Sequence, residues 1–284
     1  MSLNPAVAIS TLHSQLARDF LGGSLNSPQH IAPLPRVCQQ LAELTAQGAP
    51  DAAALAKLIQ SDPSLAGEIM RVANSPVLRP RSPIVSLQQA VSWLGVAEVR
   101  NIAMAVMLRG EVFVAPGHEP ESEELWREAW LAGLWAKEIA RERRKHVESA
   151  FLAALMHRTG AALALKILSG FEAQKRTVMD AQMFADLVVE FEPSFGRLLM
   201  SNWSLPKEVQ DAASEWRDYK KCAHSDLAGT VHAAHLLATH TLHPQLLTEE
   251  LVVDSPVFEA LSLFPDDRRA MVGKRDQIRA LAGI

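Results

Sequence analysis

The sequence is poor in the residues that build disulfide-stabilised, β-rich or nucleic-acid-coating proteins. Only 2 of its 284 residues are cysteine, Cys38 and Cys222, which excludes a disulfide framework and favours a reducing compartment. Aromatic residues make up 6% of the chain, with a single tyrosine, while the abundance of Leu and Ala favours helices over strands. The formal net charge of −4 leaves no basic excess to displace counterions from nucleic acid.

Export and membrane-spanning segments are also missing from the pattern. The first residues, MSLNPAVAISTLHSQLARDFLGG, have no early basic cluster, and polar residues interrupt their apolar positions. No uninterrupted run of about 18 apolar residues occurs. The nearest candidate, Ala150–Leu168, is broken by His157, Arg158 and Lys166. We therefore expect a cytoplasmic protein in which this segment forms a buried pair of helices.

Hydrophobic residues make up 48% of the chain, enough to bury a sizeable core. Helix signals are dense: Asp62-Pro63 predicts a helix start, Ser86 an N-cap and Gly95 a helix end. Strand-like runs are confined to 188–189 and 251–253. The sequence thus predicts an all-α protein with more than ten helices.

Several boundaries follow from the same signals. Val114–Ser122 contains two prolines, a glycine and acidic residues, and predicts a short linker between two helical halves. We expect a long helix from about Glu123 to Arg144, and further helices that begin at Pro193 and Pro206.

Three motifs occur in order in the first half of the chain: LAKLIQSDPSLA at 55–66, RVANS at 71–75, and LQQAV at 87–91 followed by Leu94-Gly95. With Leu34-Pro35 before them and the apolar helix Ala150–His157 after them, they resemble the HDOD domain. That domain is a helical module of bacterial signalling proteins, related to the HD phosphohydrolases. Each motif also has a structural role available to it, as a helix start or end, so the resemblance identifies a fold and not a site.

The resemblance covers roughly residues 26–225. It implies an all-α, HD-domain-like helical bundle preceded by an N-terminal helical subdomain. The expected division is an N-terminal helix at 1–25, an HDOD domain at 26–225 with halves 26–115 and 120–225, and C-terminal helices at 226–284 packed on the HD-like half.

HD phosphohydrolases hold divalent metal with a His, a His-Asp pair and a later Asp, and the metal activates water against a phosphoester. At the pair this sequence has His157-Arg158, and the guanidinium supplies a positive charge and no lone pair. The region of the earlier His carries Glu128, and the helix expected to carry the later Asp offers His235 instead. We expect no catalytic residue, metal or cofactor here, and a contact between Arg158 and Glu128.

Two other groups of residues carry side chains of the types used in metal binding or acid–base chemistry. Six metal-binding residue types crowd into one short stretch: Cys222, His224, His232, His235, His240 and His243. Only His232 and His235 share a helix face, and no familiar zinc spacing occurs, so half-buried and solvent-exposed histidines are the favoured interpretation. The acidic residues Asp180, Asp186, Glu190 and Glu192 are predicted to form a solvated helix face.

The lost ligands favour a non-catalytic signalling or scaffold module that acts by protein or small-ligand binding. We expect the partner to be an unknown protein of a signalling pathway, or a small ligand. The candidate binding surface is the loop with Arg79 and Arg81 together with Trp126 and Trp130, because Arg and Trp are favoured at interfaces.

Two other functions stay open at this point. The first is a metal-dependent phosphohydrolase or phosphodiesterase with an altered ligand set. The second is a nucleic-acid-binding regulator that uses arginines 79, 81, 100 and 109 or the basic run 141–145, and the acidic net charge makes it the less favoured.

Overall fold

A computed structural model describes residues 5–25, 33, 52–78, 80 and 82–284. Every regular element in these ranges is helical, with fifteen α-helices and one 3₁₀ turn at Trp216–Asp218, and this confirms the all-α prediction. The helices are α1 (Pro5–Leu25), α2 (Ala52–Ile59), α3 (Pro63–Ala73), α4 (Leu87–Leu94), α5 (Val96–Glu111), α6 (Glu119–Glu142), α7 (Val147–Met156), α8 (Thr159–Lys175), α9 (Ala181–Asn202), α10 (Lys207–Ser214), α11 (Ser225–Leu242), α12 (Glu249–Val253), α13 (Pro256–Ala260), α14 (Pro265–Val272) and α15 (Arg275–Ala282).

The predicted helix signals of the first half act as local caps. The Asp62 side chain accepts a hydrogen bond from the backbone N–H of Leu65 at 3.0 Å, and Pro63 takes the first position of α3. Ser86 accepts in the same way from Gln89 at 3.2 Å. Gly95 ends α4 with a φ of 82°, a left-handed conformation that glycine adopts without strain.

Asn74 does more than end α3. Its side-chain amide donates to the carbonyl oxygen of Ile84 at 3.0 Å, and its side-chain oxygen accepts from the Ile84 N–H at 2.8 Å. A second donation reaches the carbonyl of Met70 at 3.0 Å. The motif asparagine therefore ties the chain before α4 to the end of α3.

The prediction of a helix start at Pro193 was wrong. Pro193 lies inside α9, which begins after Asp180. The Asp180 carboxylate accepts from the backbone N–H groups of Gln182 and Met183 at 3.0 and 3.1 Å, and this earlier cap sets the start of the helix. The predicted long helix also begins earlier, at Glu119, so the linker is shorter than expected. The start predicted at Pro206 is confirmed within one residue, since α10 begins at Lys207.

Two groups of buried apolar residues make up the interior. The smaller contains residues of α2 to α5, among them Leu55, Ile69 and Ile102. The larger gathers α1, α6 to α11 and the C-terminal helices, around Trp135 and Phe151. The first described helix, α1, contacts α8 and α9, and α15 contacts α6. The predicted domain limits stay a prediction.

The stretch Val147–Lys175 is long and apolar enough to cross a membrane, and 83% of its most apolar window is buried inside the protein. Helices α4 and α5 pass the same test only when taken together, and they meet at a bend of 111°. Burial of this kind is typical of core helices, in agreement with the predicted pair of buried helices.

Candidate functional site

The four positions implied by the family resemblance meet inside the second half of the chain. Glu128 projects from α6, His157 follows α7, Arg158 precedes α8, and His235 lies on α11. His157 Nε2 lies 3.1 Å from His235 Nδ1. The predicted contact of Arg158 with Glu128 is confirmed, with Nε donating to Oε2 at 2.9 Å.

A fifth residue, Glu192 of α9, completes the cluster and was not foreseen. Arg158 donates to its Oε1 at 2.5 Å, and Arg217 approaches its Oε2 at 2.6 Å. Glu192 is only 3% exposed, so placing it on a solvated face was wrong, although Asp180, Asp186 and Glu190 are exposed as predicted. The signal was in the sequence, because Glu192 falls between Val188 and the buried Phe195 on the apolar face of α9.

Gly160 allows α9 to come close enough for this contact. A Cβ atom built on Gly160 would lie 1.9 Å from the carbonyl oxygen of Glu192 and 2.7 Å from the backbone nitrogen of Gly196. These are backbone atoms that cannot rotate away. The glycine therefore lets α8 and α9 cross at close range, beside the Arg158–Glu192 ion pair.

The Trp216 ring packs against both histidines. The Trp216 ring centroid lies 4.3 Å from that of His235 and 5.2 Å from that of His157. The guanidinium carbon of Arg217 lies 4.2 Å from the same Trp216 centroid, a cation–π distance. His232 contacts the Trp216 carbonyl oxygen through Nδ1 at 3.1 Å. Trp216 thus covers part of the histidine pair, in which His157 is buried and His235 is half-buried.

Burial and neighbouring charge set the protonation of the cluster. Burial, followed by repulsion from His235 and Arg158, holds the pKa of His157 well below its ordinary value. Burial and the two guanidinium groups hold the pKa of His235 well below its ordinary value too. Burial raises the pKa of Glu128, and the attraction of Arg158 offsets this only in part. For Arg158, burial lowers the pKa, but Glu192 and Glu128 outweigh it and the net shift is upward.

The donor set does not fit a divalent cation. The contact of His157 Nδ1 with the carbonyl oxygen of Ala154 at 2.5 Å requires Nδ1 to carry the proton, which leaves Nε2 as an acceptor for the Nδ1–H of His235. The lone pair of His157 is then already used. Arg158 places a permanent positive charge where a ligand carboxylate would be required. Among the described residues, no group of three or more His, Cys, Asp or Glu side chains could hold a metal ion.

The histidine-rich stretch is dispersed by the fold. His240 contacts the carbonyl oxygen of Leu247 at 2.8 Å, and His243 contacts Glu124. His224 lies 3.8 Å from Asp211, and Cys222 is buried. These side chains have separate partners, and His240 is buried, where a half-buried histidine was predicted.

Only part of the predicted binding surface lies within the residues that the structure describes. Arg79 and Arg81 lie outside the described residues. Trp126 and Trp130 are each 7% exposed, because they pack against each other and against Phe113 and Phe151. They are therefore core residues whose exposed edges face two cavities, and not a projecting surface.

The family model of the HDOD domain matches residues 31–219, two-thirds of the chain. The chain belongs to the HDOD domain family. No curated protein matches the sequence. The match ends before α11, so the helix that carries His235 lies beyond it.

Solved structures share this HDOD fold over nearly the whole chain. One is from Shewanella amazonensis SB2B, under the provisional name of metal-dependent phosphohydrolase, with 20% identity, TM-score 0.69, and 94% of this chain and 99% of that chain covered. An HDOD domain protein of unknown function from Geobacter sulfurreducens is 19% identical with a TM-score of 0.66, and the match covers 95% of this chain and 96% of that chain. A protein of Marinobacter aquaeolei VT8, provisionally named a signal transduction protein, is 22% identical with a TM-score of 0.65, and the match covers 95% of this chain and 66% of that chain. Likeness at such identity shows the fold alone.

Proposed function

We propose that this HDOD chain is a non-catalytic, cytoplasmic signal-transduction or scaffold module that acts by binding a protein partner or a small ligand. One observation carries the proposal. Arg158 stands at the position of a ligand carboxylate and is bonded to Glu128 and Glu192. An ion cluster of this kind has no open coordination position and no activated water, both of which metal-assisted hydrolysis requires.

Nucleic acid is not the partner we propose. The net charge is −4, and two of the arginines that could contact phosphate are already paired. Arg100 donates to Glu148 at 2.9 Å, and Arg109 donates to Glu123 at 3.1 Å. A phosphate would have to compete with these carboxylates.

A hydrolysis assay tests the non-catalytic part. The purified chain is incubated with bis(p-nitrophenyl) phosphate and Mn²⁺, beside its His157→Ala variant. We expect equal background rates in both. Turnover that the substitution abolishes would establish the alternative, a phosphohydrolase with an altered ligand set, and would overturn the proposal.

An Arg158→Asp variant provides a gain-of-binding control. It removes the fixed charge and supplies a carboxylate beside His157, so its affinity for Mn²⁺ should exceed that of the wild type in calorimetric titration. Tighter Mn²⁺ binding by the wild type than by this variant would contradict the role assigned to Arg158. The binding part of the proposal is tested separately: a protein captured by this chain from the cells that produce it should bind the purified chain saturably.

A further inference from the structure

A cavity of about 290 Å³ lies where the N-terminal helices meet α6 and the C-terminal helix α15. This volume is at the lower end of the range for small-molecule sites, roughly 300–1,000 Å³, and suits a compact ligand better than a peptide. Most of its walls are apolar: Val72, Leu78, Leu94, Trp130, Leu134 and Ile278. The cavity lies apart from the Arg158 cluster, whose residues do not line it.

One end of the cavity is polar and buried. Lys137 is 5% exposed and bonds to Glu98, and both residues line the cavity. An ammonium group has three N–H donors, and Glu98 is the one hydrogen-bond acceptor that Lys137 contacts within the described part of the chain. The ammonium also lies 5.3 Å from the Phe151 ring centroid, which accepts no conventional hydrogen bond, so a donor is left for an acceptor inside the cavity.

The charges around this end do not cancel. Glu138, which also lines the cavity, is contacted by Arg141 and by Lys274. Burial raises the pKa of Glu138, but the two cations outweigh it and the pKa lies below its ordinary value. Lys137, Arg141, Glu98 and Glu138 line the cavity, and Lys274 contacts Glu138 from outside the lining, so these five groups together carry one positive charge in excess. The excess positive charge favours a ligand with one negative charge.

Two indole rings indicate the body of the ligand. Trp93 is 50% exposed and lines the cavity, and Trp130 lines it from α6. An exposed tryptophan beside an apolar cavity offers a flat surface against which an aromatic ring can pack.

We propose that this cavity binds a small aromatic monocarboxylate, with its ring among the apolar walls and its carboxylate on Lys137. The inference rests on the proposed function in taking the module to work by binding. Residues 275–282 contribute a wall from beyond the family match at 31–219, and Arg71 donates to the Leu281 carbonyl oxygen at 3.2 Å. A bound ligand would therefore secure the C-terminal helix on the N-terminal half.

The test compares 2-naphthoate with its neutral isostere, 2-naphthamide, by isothermal titration of the full chain. We expect the carboxylate to bind about tenfold to a hundredfold more tightly, the range for a hydrogen bond to a charged group. Lys137→Met should abolish this preference, and the matched exposed variant Lys207→Met should keep it. In hydrogen exchange, 2-naphthoate should slow the amides of residues 275–282.

Because Lys137 is buried, its variant is used only if its circular dichroism shows a folded chain, and Trp93→Ala is the second variant. Trp93 is half exposed, so its removal should weaken both probes without unfolding the protein. No binding of 2-naphthoate, equal binding of the two probes, or unchanged binding by both variants would overturn the inference. His157-dependent hydrolysis would overturn the proposed function and leave the cavity assignment standing.

Discussion

Replacing Arg158 with methionine should be among the most damaging single changes to this protein. The substitution keeps an unbranched side chain of similar length but removes the positive charge shared by Glu128 and Glu192. Arg217 still approaches Glu192, whereas Glu128 loses the cation that offsets its burial. Removing one partner of a buried ion pair costs about 3–5 kcal/mol, because the other charge is left unpaired in a poorly solvated site.

The loss should depend on pH in a defined direction. Burial already raises the pKa of Glu128, and without Arg158 it rises further. A carboxyl group whose pKa is higher in the folded than in the unfolded chain destabilises the fold as pH increases. Removing Arg158 also relieves repulsion of a proton on His157 or His235. Both effects make the destabilisation larger at pH 8 than at pH 5.5.

Urea unfolding followed by circular dichroism at the two pH values measures this difference. Arg100→Met is the matched control, since Arg100 and Glu148 form an ion pair of 2.9 Å with side chains 41% and 47% exposed. An exposed pair of this kind contributes about 0–1 kcal/mol. If Arg158→Met were no more destabilising than Arg100→Met, or if its effect grew towards acid pH, the cluster would not hold α6, α8 and α9 together as argued.

Three further changes test other parts of the structure. Gly160→Ala should destabilise the fold by about 3 kcal/mol or more in urea unfolding, because its Cβ would lie 1.9 Å from the backbone of α9. The control Gly170→Ala, whose Cβ would have nothing within 4 Å, should leave stability unchanged or raise it by up to about 1 kcal/mol. Equal effects of the two substitutions would contradict the close crossing of α8 and α9. The pKa values of His157 and His235 lie below the ordinary 6.5, so their contribution to stability is greatest above that pH and is lost as pH falls. His235→Gln should therefore make the decline of the unfolding free energy between pH 7 and 5 shallower. An unchanged slope would count against a neutral histidine pair. Asn74→Ala removes two hydrogen bonds to the chain before α4. It should lower stability by about 1 kcal/mol and speed hydrogen exchange of the amides at 82–86. Unchanged exchange there would show that these hydrogen bonds do not hold the segment in place.

Features that depend on a few neighbouring residues were predictable from the sequence. The starts of α3 and α4 follow from Asp62-Pro63 and Ser86, whose side chains bond to backbone groups three residues away. The contact of Arg158 with Glu128 was predictable because the resemblance placed both on the same site. Such signals are either local or carried by the family pattern.

The rest of the site depends on long-range packing that local patterns do not encode. Glu192 looked like one member of an acidic run, and only the crossing of α8 and α9 at Gly160 shows why it faces inward. Trp216 and Arg217 follow α10, and the tertiary fold brings Trp216 to the histidine pair and Arg217 to Glu192. The helix start wrongly expected at Pro193 is an error of local signals and not of long-range packing. Proline favours a helix start, but the cap at Asp180 begins the helix earlier and Pro193 lies inside it.

The ion cluster also bears on where a binding function would lie. In a site that binds an external cation, the ion brings the ligating carboxylates and imidazoles together. Here a covalently attached cation, the guanidinium of Arg158, lies between Glu128 and Glu192, and the two neutral histidines bond to each other. The charges and lone pairs are satisfied from within the chain, so the cluster can join α6, α8, α9 and α11 without a ligand. A ligand needs polar groups and apolar surface that remain open, and for this reason we propose the cavity beside Lys137 as the binding site and not the cluster.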